Sequence, residues 1–392
     1  MRWLRALTAA ALASAVALAP APAAASGTIE GRGQYREAAA SGAIEGRGQY
    51  REAAAFGTIE GGGQHREHER ITRAAIACRT GAGFRADCFA PRSTAQLAGH
   101  DRKFGAVGAP DSTEIADPAA HCDDADFLAG GYPRTRDQAT AALLRCVAHL
   151  RRRFAEAVTS AGGVLDGDGR LAGAEVALDT DCELDPKSEP RAKCEALEAF
   201  GRALHGVQDF YAHSNWADDA DPALPPGAGN PPGLNRPAPS PVLDLRGTGT
   251  PAVPGDLATG CFVLKDSVPG TGACAGRVTH AALNKDNGLV DPDTGGTTAP
   301  ATRRGLVLTN FAKAVTGAIV ETRHQWQELR AALRQTYGAA KGELIACALT
   351  RDDPATDCRR TGSGVAPAAL VAVLIGLIAA GYLWRRRATR RG

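Results

Sequence analysis

Residues 200–216 read FGRALHGVQDFYAHSNW, the densest cluster of polar and aromatic side chains in the chain. Leu197, Phe200, Leu204, Val207 and Tyr211 recur at steps of three and four, the spacing of one apolar face of an α-helix. His205, Asp209 and His213 follow at steps of four, so they share a stripe about 80° wide on roughly the opposite side, each one turn beyond the last. A polar stripe facing an apolar one is also what ordinary solvent exposure looks like. Two imidazoles and a carboxylate on successive turns can nevertheless aim at adjacent metal positions, and Zn²⁺ takes those donor types.

Outward from this segment the periodicity predicts more helices. One runs from Glu67 to about Arg79. A second spans Asp137 to Ser160, with Leu143, Val147, Leu150, Phe154 and Val158 on one face and Gly-Tyr-Pro before it as an entry turn. The central segment itself reads as helix from Glu189 to about His213. Leu306 to Tyr337 gives a fourth, marked by Phe311, Val315, Ile319, Trp326, Leu329, Leu333 and Tyr337. Residues 217–303 are rich in Pro, Gly and Asp and read as a long excursion pinned by disulfides. With no run of alternating strands, the expected fold is all-α, and residues 56–350 suffice for one large helical domain.

The ends carry export signals. Arg2 and Arg5 precede an apolar run from Ala6 to Leu18 and small residues up to Ala25, the layout of a signal peptide over 1–25. Residues 26–40, 41–55 and 56–70 repeat a 15-residue unit. Its few apolar positions cannot build a core, so 26–55 reads as a flexible lead-in. After a linker at 351–364, Val365 to Trp384 gives 20 uncharged residues, enough for a transmembrane helix. The basic tail 385–392, with five arginines, then stays in the cytoplasm. The localisation expected is a cell membrane crossed once, with this helix as the chain's own anchor and the N-terminal region outside.

The ten cysteines all fall in the exported part, an even number that predicts up to five disulfides without fixing their pairing. A zinc ribbon would need a tight Cys-x-x-Cys pair, and none is present. The formal charge of +2 misleads, because seven arginines lie in the two terminal segments; the ectodomain has 38 basic and 43 acidic residues. An acidic ectodomain excludes bulk attraction to nucleic acid. Arg outnumbers Lys by 38 to 7, a bias of GC-rich genomes.

LHGVQDFYAHSNW resembles the helix shared by zinc-dependent phospholipases C and Het-C-like proteins, whose pattern is close to LHxxQDFYxHSNW. In the bacterial phospholipases C the corresponding second histidine lies further from the aspartate, so the chain sits nearer the Het-C side. Shorter matches follow in the same order over roughly residues 64–340. HREHERITRA at 65–74 is similar to the early helix that gives a histidine ligand, with His68 matching better than His65. HCDDAD at 121–126 is similar to the acidic loop that supplies a metal-bridging carboxylate. Asp124 is favoured there and Asp123 stays open. THAALNKDNG at 279–288, with His280, Asn284 and Asp286, resembles the His and Asn-Lys-Asp element of Het-C-like chains. His324 and Glu328 repeat the His-x-x-x-Glu spacing that closes the phospholipase C cluster, whereas His100 and His149 match nothing and read as surface or packing residues.

The resemblance implies an all-α phospholipase C-like domain holding one to three Zn²⁺ through His68, Asp124, His205, Asp209, His213, His280, His324 and Glu328. Phospholipases C also use the free amine of the mature chain as a ligand. Here that amine would lie beyond the repeats, which favours one or two ions over three. Asp124 would be the bridging ligand or general base. The activity implied is hydrolysis of phosphodiesters, foremost phospholipid headgroups, with membrane lipid as the partner. A non-catalytic surface recognition module with a structural or vestigial metal is the alternative, and a zinc nuclease is disfavoured by the acidic ectodomain.

Overall fold

The computed structural model describes residues 66–79, 87–184, 191–262 and 272–358. The signal peptide, the repeats, His65 and the expected membrane span lie outside these. Among the described residues no helix is long and apolar enough to cross a membrane.

The protein is helix-rich, and the described residues include six helices of eight residues or more: α1 (Glu67–Ile76), α2 (Pro91–Ala98), α3 (Arg136–Gly162), α4 (Ala192–His213), α5 (Asn310–Tyr337) and α6 (Ala339–Thr350). Among the described residues, extended structure is confined to two-residue hairpins, Gly99–His100 with Lys103–Phe104 and Leu289–Val290 with Thr297–Thr298, and to isolated bridges. Each of the four helices anticipated between residues 67 and 337 forms, with ends set by local chemistry. α1 stops at Ile76 because Ala77 turns extended and bridges to Phe89, beside the Cys78–Cys88 disulfide. α3 starts in a capping box, in which Thr135 accepts from the Gln138 N–H and the Gln138 side chain accepts from the Thr135 N–H. α5 begins at Asn310 rather than Leu306, since Leu308 sits in a left-handed conformation with φ 49° that no helix continues. The Leu306–Tyr337 pattern overran a turn.

Two helices were not anticipated: α6, which has almost no amphipathic pattern, and α2, which is only eight residues long. α6 follows Gly338, whose φ of 82° reverses the chain. It lays Ile345 and Leu349 into the core. α2 opens on Pro91 at its first turn, the position where the missing N–H costs nothing.

α4 is the central element. Every residue from Ala192 to His213 except Glu195 is buried, because α3 and α5 cover its apolar face and the 105–126 and 280–286 segments cover its polar stripe. Two glycines permit that covering. A Cβ at Gly201 would run into Ala106, and one at Gly206 would stand 2.5 Å from the Ala120 carbonyl oxygen and 2.7 Å from Leu150 Cδ2. All ten cysteines pair, each with its neighbour in sequence: Cys78–Cys88, Cys122–Cys146, Cys182–Cys194, Cys261–Cys274 and Cys347–Cys358. The excursion 217–303 is pinned by Cys261–Cys274 and by polar ties to the helices. Glu321, fully buried on α5, accepts from Tyr211 Oη at 2.8 Å and from the Ser240 N–H at 2.7 Å.

Gly206→Ala must push Ala120 away from α4. Overpacking of this kind costs about 1–3 kcal/mol, so the variant is expected to lower the chemical-denaturation midpoint with little change in its slope.

Candidate metal centre

His205, Asp209 and His213 project from three successive turns of α4, and the fold brings other donors to them from sequence-distant segments. Asp209 is fully buried. Its Oδ1 lies 3.2 Å from His68 Nε2 on α1. Its Oδ2 lies 3.0 Å from both His205 Nε2 and His121 Nδ1. Asp111 approaches from the solvent side, 3.6 Å from His205 Nε2. One turn on, His213 Nδ1 is 3.4 Å from Asp123 Oδ1, His213 Nε2 is 3.4 Å from Asp286 Oδ2, and the His280 ring centre is 4.2 Å from that of His213. The donors fall into neighbouring groups. His68, His205 and Asp209 form one, Asp111 and His121 adjoin it through His205, and Asp123, His213 and His280 form another.

Tautomers decide whether this is a hydrogen-bond network or a ligand set. His205 donates its Nδ1–H to the Val107 carbonyl at 2.8 Å. Gln208 gives its amide hydrogens to Thr72 and Thr322, at 2.9 and 3.1 Å, which turns its oxygen toward His68 Nδ1 at 2.8 Å. Both neutral imidazoles therefore aim an Nε2 lone pair at the carboxylate of Asp209. His205 Nε2 also lies 2.9 Å from His121 Nδ1, whose N–H can serve it, but His68 Nε2 and Asp209 Oδ1 face each other as two acceptors 3.2 Å apart and need a cation between them, a proton or a metal ion. Asp209 Oδ1, Asp123 Oδ1, His213 Nδ1 and His121 Nε2 are buried without a well-directed hydrogen bond. Ligands about 2.0–2.2 Å from a tetrahedral ion stand about 3.3–3.5 Å apart. The 3.2 and 3.4 Å separations of His68 from Asp209 and of His213 from Asp123 are close to that edge length. These buried His/Asp groups can hold a metal ion, and the outer hydrogen bonds of Gln208 and Val107 are the kind that orient imidazole ligands.

Protons fill the same role in the absence of an ion. Burial opposes a charge on His121, but the hydrogen bond and charge of Asp209 outweigh it and hold the imidazole up at about 9. Burial likewise opposes a charge on His68, where Asp209 raises the pKa, and on His213, where Asp123 and Asp209 raise it well above the usual value. Burial would raise Asp209, but the charges of His205, His213 and His68 keep it well below the usual carboxylate range. Burial pushes His205 down, and burial with the charge of His213 takes His280 to about 3.

Of the anticipated site residues, the structure gathers His68, His205, Asp209, His213 and His280. Asp124 is beside them without facing them. Cys122 and Asp124 both take left-handed backbone, φ 55° and 65°, so the chain turns Asp123 inward and Asp124 outward. Asp124 Oδ1 accepts from the Phe262 N–H at 3.2 Å, and Arg277 stands 3.9 Å away. Its nearest donor grouping, with Asp126 and Cys261, is spoiled as a metal site because Cys261 is in a disulfide. His324 and Glu328 are not brought to the cluster. Glu328 pairs with Arg246 at 2.7 Å on the far side of α5 from its apolar stripe. His149 lies near Glu114 and Asp117, and His100 near Asp101 and Asp181, both outside the cluster. The sequence reading missed Asp111, which no motif marks, and passed over His121 and Gln208 although both lie inside quoted motifs.

No family model, characterised protein or solved structure matches the chain.

Two outcomes are expected of the ligand set. Metal must displace the protons held on His68, His121 and His213, so calorimetric titration of Zn²⁺ should show proton release and an affinity rising from about pH 7 to about pH 9. Since the folded pKa of His121 lies above that of a free imidazole, its proton stabilises the metal-free fold below about pH 6.5 and that contribution is lost as pH rises through about 9. Gln208→Leu removes the partner that sets the His68 tautomer and should weaken Zn²⁺ binding about 10–100-fold, read by competition with a chelating dye.

Proposed function

We propose that the chain is a surface-anchored, zinc-dependent phosphodiester hydrolase, with phospholipid headgroups as its substrate class. The observation that carries this reading is the side-by-side arrangement of two His/Asp groups along one buried stripe of α4, His68–His205–Asp209 and Asp123–His213–His280. Adjacent cation sites suit a phosphodiester, whose non-bridging and leaving oxygens both gather negative charge as the bond breaks. When bound, zinc would supply Lewis-acid polarisation of the phosphoryl oxygen and a water with a pKa lowered to about 7.

The chain's own residues do the rest. Val107 and Gln208 keep the Nε2 atoms of His205 and His68 turned inward. Asp286, 3.4 Å behind His213, orients that ring toward Asp123. Asp123 takes the part that the family resemblance gives to Asp124, its Oδ1 accepting a proton from water at the edge of the second group. Asp111, half-buried, is the most exposed carboxylate of the donor groups.

A second reading has an observation in its favour. His68, His205, Asp209 and His213 are 0 % exposed and His280 is 7 % exposed. Closed sites hold structural metals, whereas catalytic sites keep a position open. A surface recognition module with a structural metal would have such a centre.

The two readings separate in one experiment on the full-length protein. The hydrolase is expected to carry near-stoichiometric zinc by mass spectrometry, to lose it in the His205→Ala/Asp209→Ala double variant, and to release phosphorylated headgroups from phosphatidylcholine in a zinc-dependent way. Asp123→Asn should abolish that release while Asp124→Asn leaves most of it. Bound zinc with no turnover of lipid or nucleotide phosphodiesters would leave the recognition module standing.

A further inference from the structure

The five disulfides differ in how open they are to solvent. Cys122–Cys146 and Cys261–Cys274 are buried at both ends, whereas Cys182–Cys194 and Cys347–Cys358 are buried at one. Cys78–Cys88 alone has both of its cysteines half-buried. A disulfide exchanges with a thiol only where the attacking sulfur can reach it, so access sets this bond apart.

Its two sulfurs are not equivalent. The buried guanidinium of Arg351 donates from Nη1 to Cys78 Sγ across 3.6 Å. A cationic N–H on a sulfur stabilises the thiolate, and a stabilised thiolate is the better leaving group. Cys88 lines a cavity of about 430 Å³ that it shares with Arg79, Asp87, Arg323 and Gln327. Arg79 and Arg323 stand close together there, since partial burial and the charge of Arg79 both lower the Arg323 pKa. Asp87 is the one carboxylate among the lining residues, so the cavity keeps an excess of positive charge.

Opening the bond would leave its surroundings assembled. The Cys78 N–H donates to the Phe89 carbonyl at 2.9 Å, and the Phe89 N–H to the Ile76 carbonyl at 2.8 Å. Trp326 Nε1 donates to the Asp87 carbonyl at 3.1 Å, and Arg323 donates to the Ala74 and Ala75 carbonyls, at 2.7 and 2.9 Å, at the end of α1. Two thiols held side by side have a high effective concentration for re-forming their bond, which makes the exchange reversible.

We infer that Cys78–Cys88 is a thiol-exchange site, attacked at Cys88 Sγ by a small thiol that bears a carboxylate. The incoming thiolate forms a new S–S bond to Cys88. The Cys78–Cys88 bond breaks, and its electron pair leaves on Cys78 as a thiolate beside Arg351. A second thiol attacks the small-molecule sulfur of the mixed disulfide and releases the Cys88 thiolate. Two thiols are thus oxidised to their disulfide and one protein disulfide is reduced, the two thiol protons passing to the cysteines or to water. The inference stands whether the chain is a hydrolase or a recognition module.

The test incubates the folded full-length protein with reduced glutathione, quenches with acid, alkylates free thiols and maps all ten cysteines by peptide mass spectrometry. Glutathione on Cys88 with alkylation of Cys78 is expected to appear at least about tenfold faster than opening of any other disulfide. Cysteamine, a cationic thiol, should react about three- to tenfold more slowly at the same thiolate concentration, and Arg79→Gln, at an exposed side chain, should narrow that difference. Arg351→Gln should slow the opening about three- to tenfold. Opening of Cys78–Cys88 no faster than that of Cys182–Cys194 would overturn the proposal. So would glutathione on Cys78 in place of Cys88, equal rates with the two thiols, or an unchanged rate in Arg351→Gln.

Discussion

A carboxylate with no exposure to water sits at the middle of this fold, and much of the architecture is the means of tolerating it. Asp209 could not stay ionised alone in the interior, where an unpaired charge costs several kcal/mol. His68, His121 and His205 surround it, and each comes from a different segment: α1, the loop before α3, and α4 itself. Satisfying one side chain therefore joins three parts of the chain. The same requirement explains why α4 is buried on its polar side as well as its apolar side. If the stripe of His205, Asp209 and His213 faced water there would be no reason for Gly201 and Gly206 to admit the backbone at Ala106 and Ala120 so closely.

The covering on the other flank depends on a second buried carboxylate. Asp218 accepts from Lys285 at 3.0 Å and from two nitrogens of Arg304 at 2.8 and 3.0 Å. Lys285 also donates to the Ser214 and Leu283 carbonyls, at 2.8 and 2.7 Å, closing the end of α4. With the Lys285 N–H donating to the Ala212 carbonyl at 3.1 Å, the ion cluster thus holds the segment that carries Asp286 against the end of α4. In sequence these residues are spread over 86 positions, and each lies in a stretch rich in Pro, Gly and Asp that has no helical pattern.

What the sequence made legible follows from what repeats. Long helices with apolar steps of three and four were readable, because α3 and α5 bury one face each and the pattern survives any detail of packing. The stripe on α4 was readable as geometry, but its burial was not, since His and Asp opposite an apolar face look the same whether water or protein covers them. Asp124 was favoured over Asp123 by motif alone. The choice is made by two left-handed residues, Cys122 and Asp124, and no pattern of residue types announces a left-handed cysteine. His324 and Glu328 fit a spacing, yet the helix that carries them turns its other face to α4. Asp111 has no motif, and its approach to His205 exists only once Gly201 has let the 106–108 turn against α4.

Half of the donors lie on loops or single helical turns, and such segments alone do not hold side chains to within the tolerance a metal site needs. Here the precision comes from covalent ties placed beside the donors. Cys122 stands between His121 and Asp123 and is bonded to Cys146 on α3. Cys261, bonded to Cys274, accepts the His280 N–H on its carbonyl at 2.8 Å and donates its own N–H to the Val278 carbonyl at 2.8 Å. With those bonds reduced, each loop would regain conformations that the folded site excludes, and the buried acids and imidazoles would lose their alignment before the helices lost theirs. The centre is thus conditional on an oxidising environment in a way that the helical frame is not.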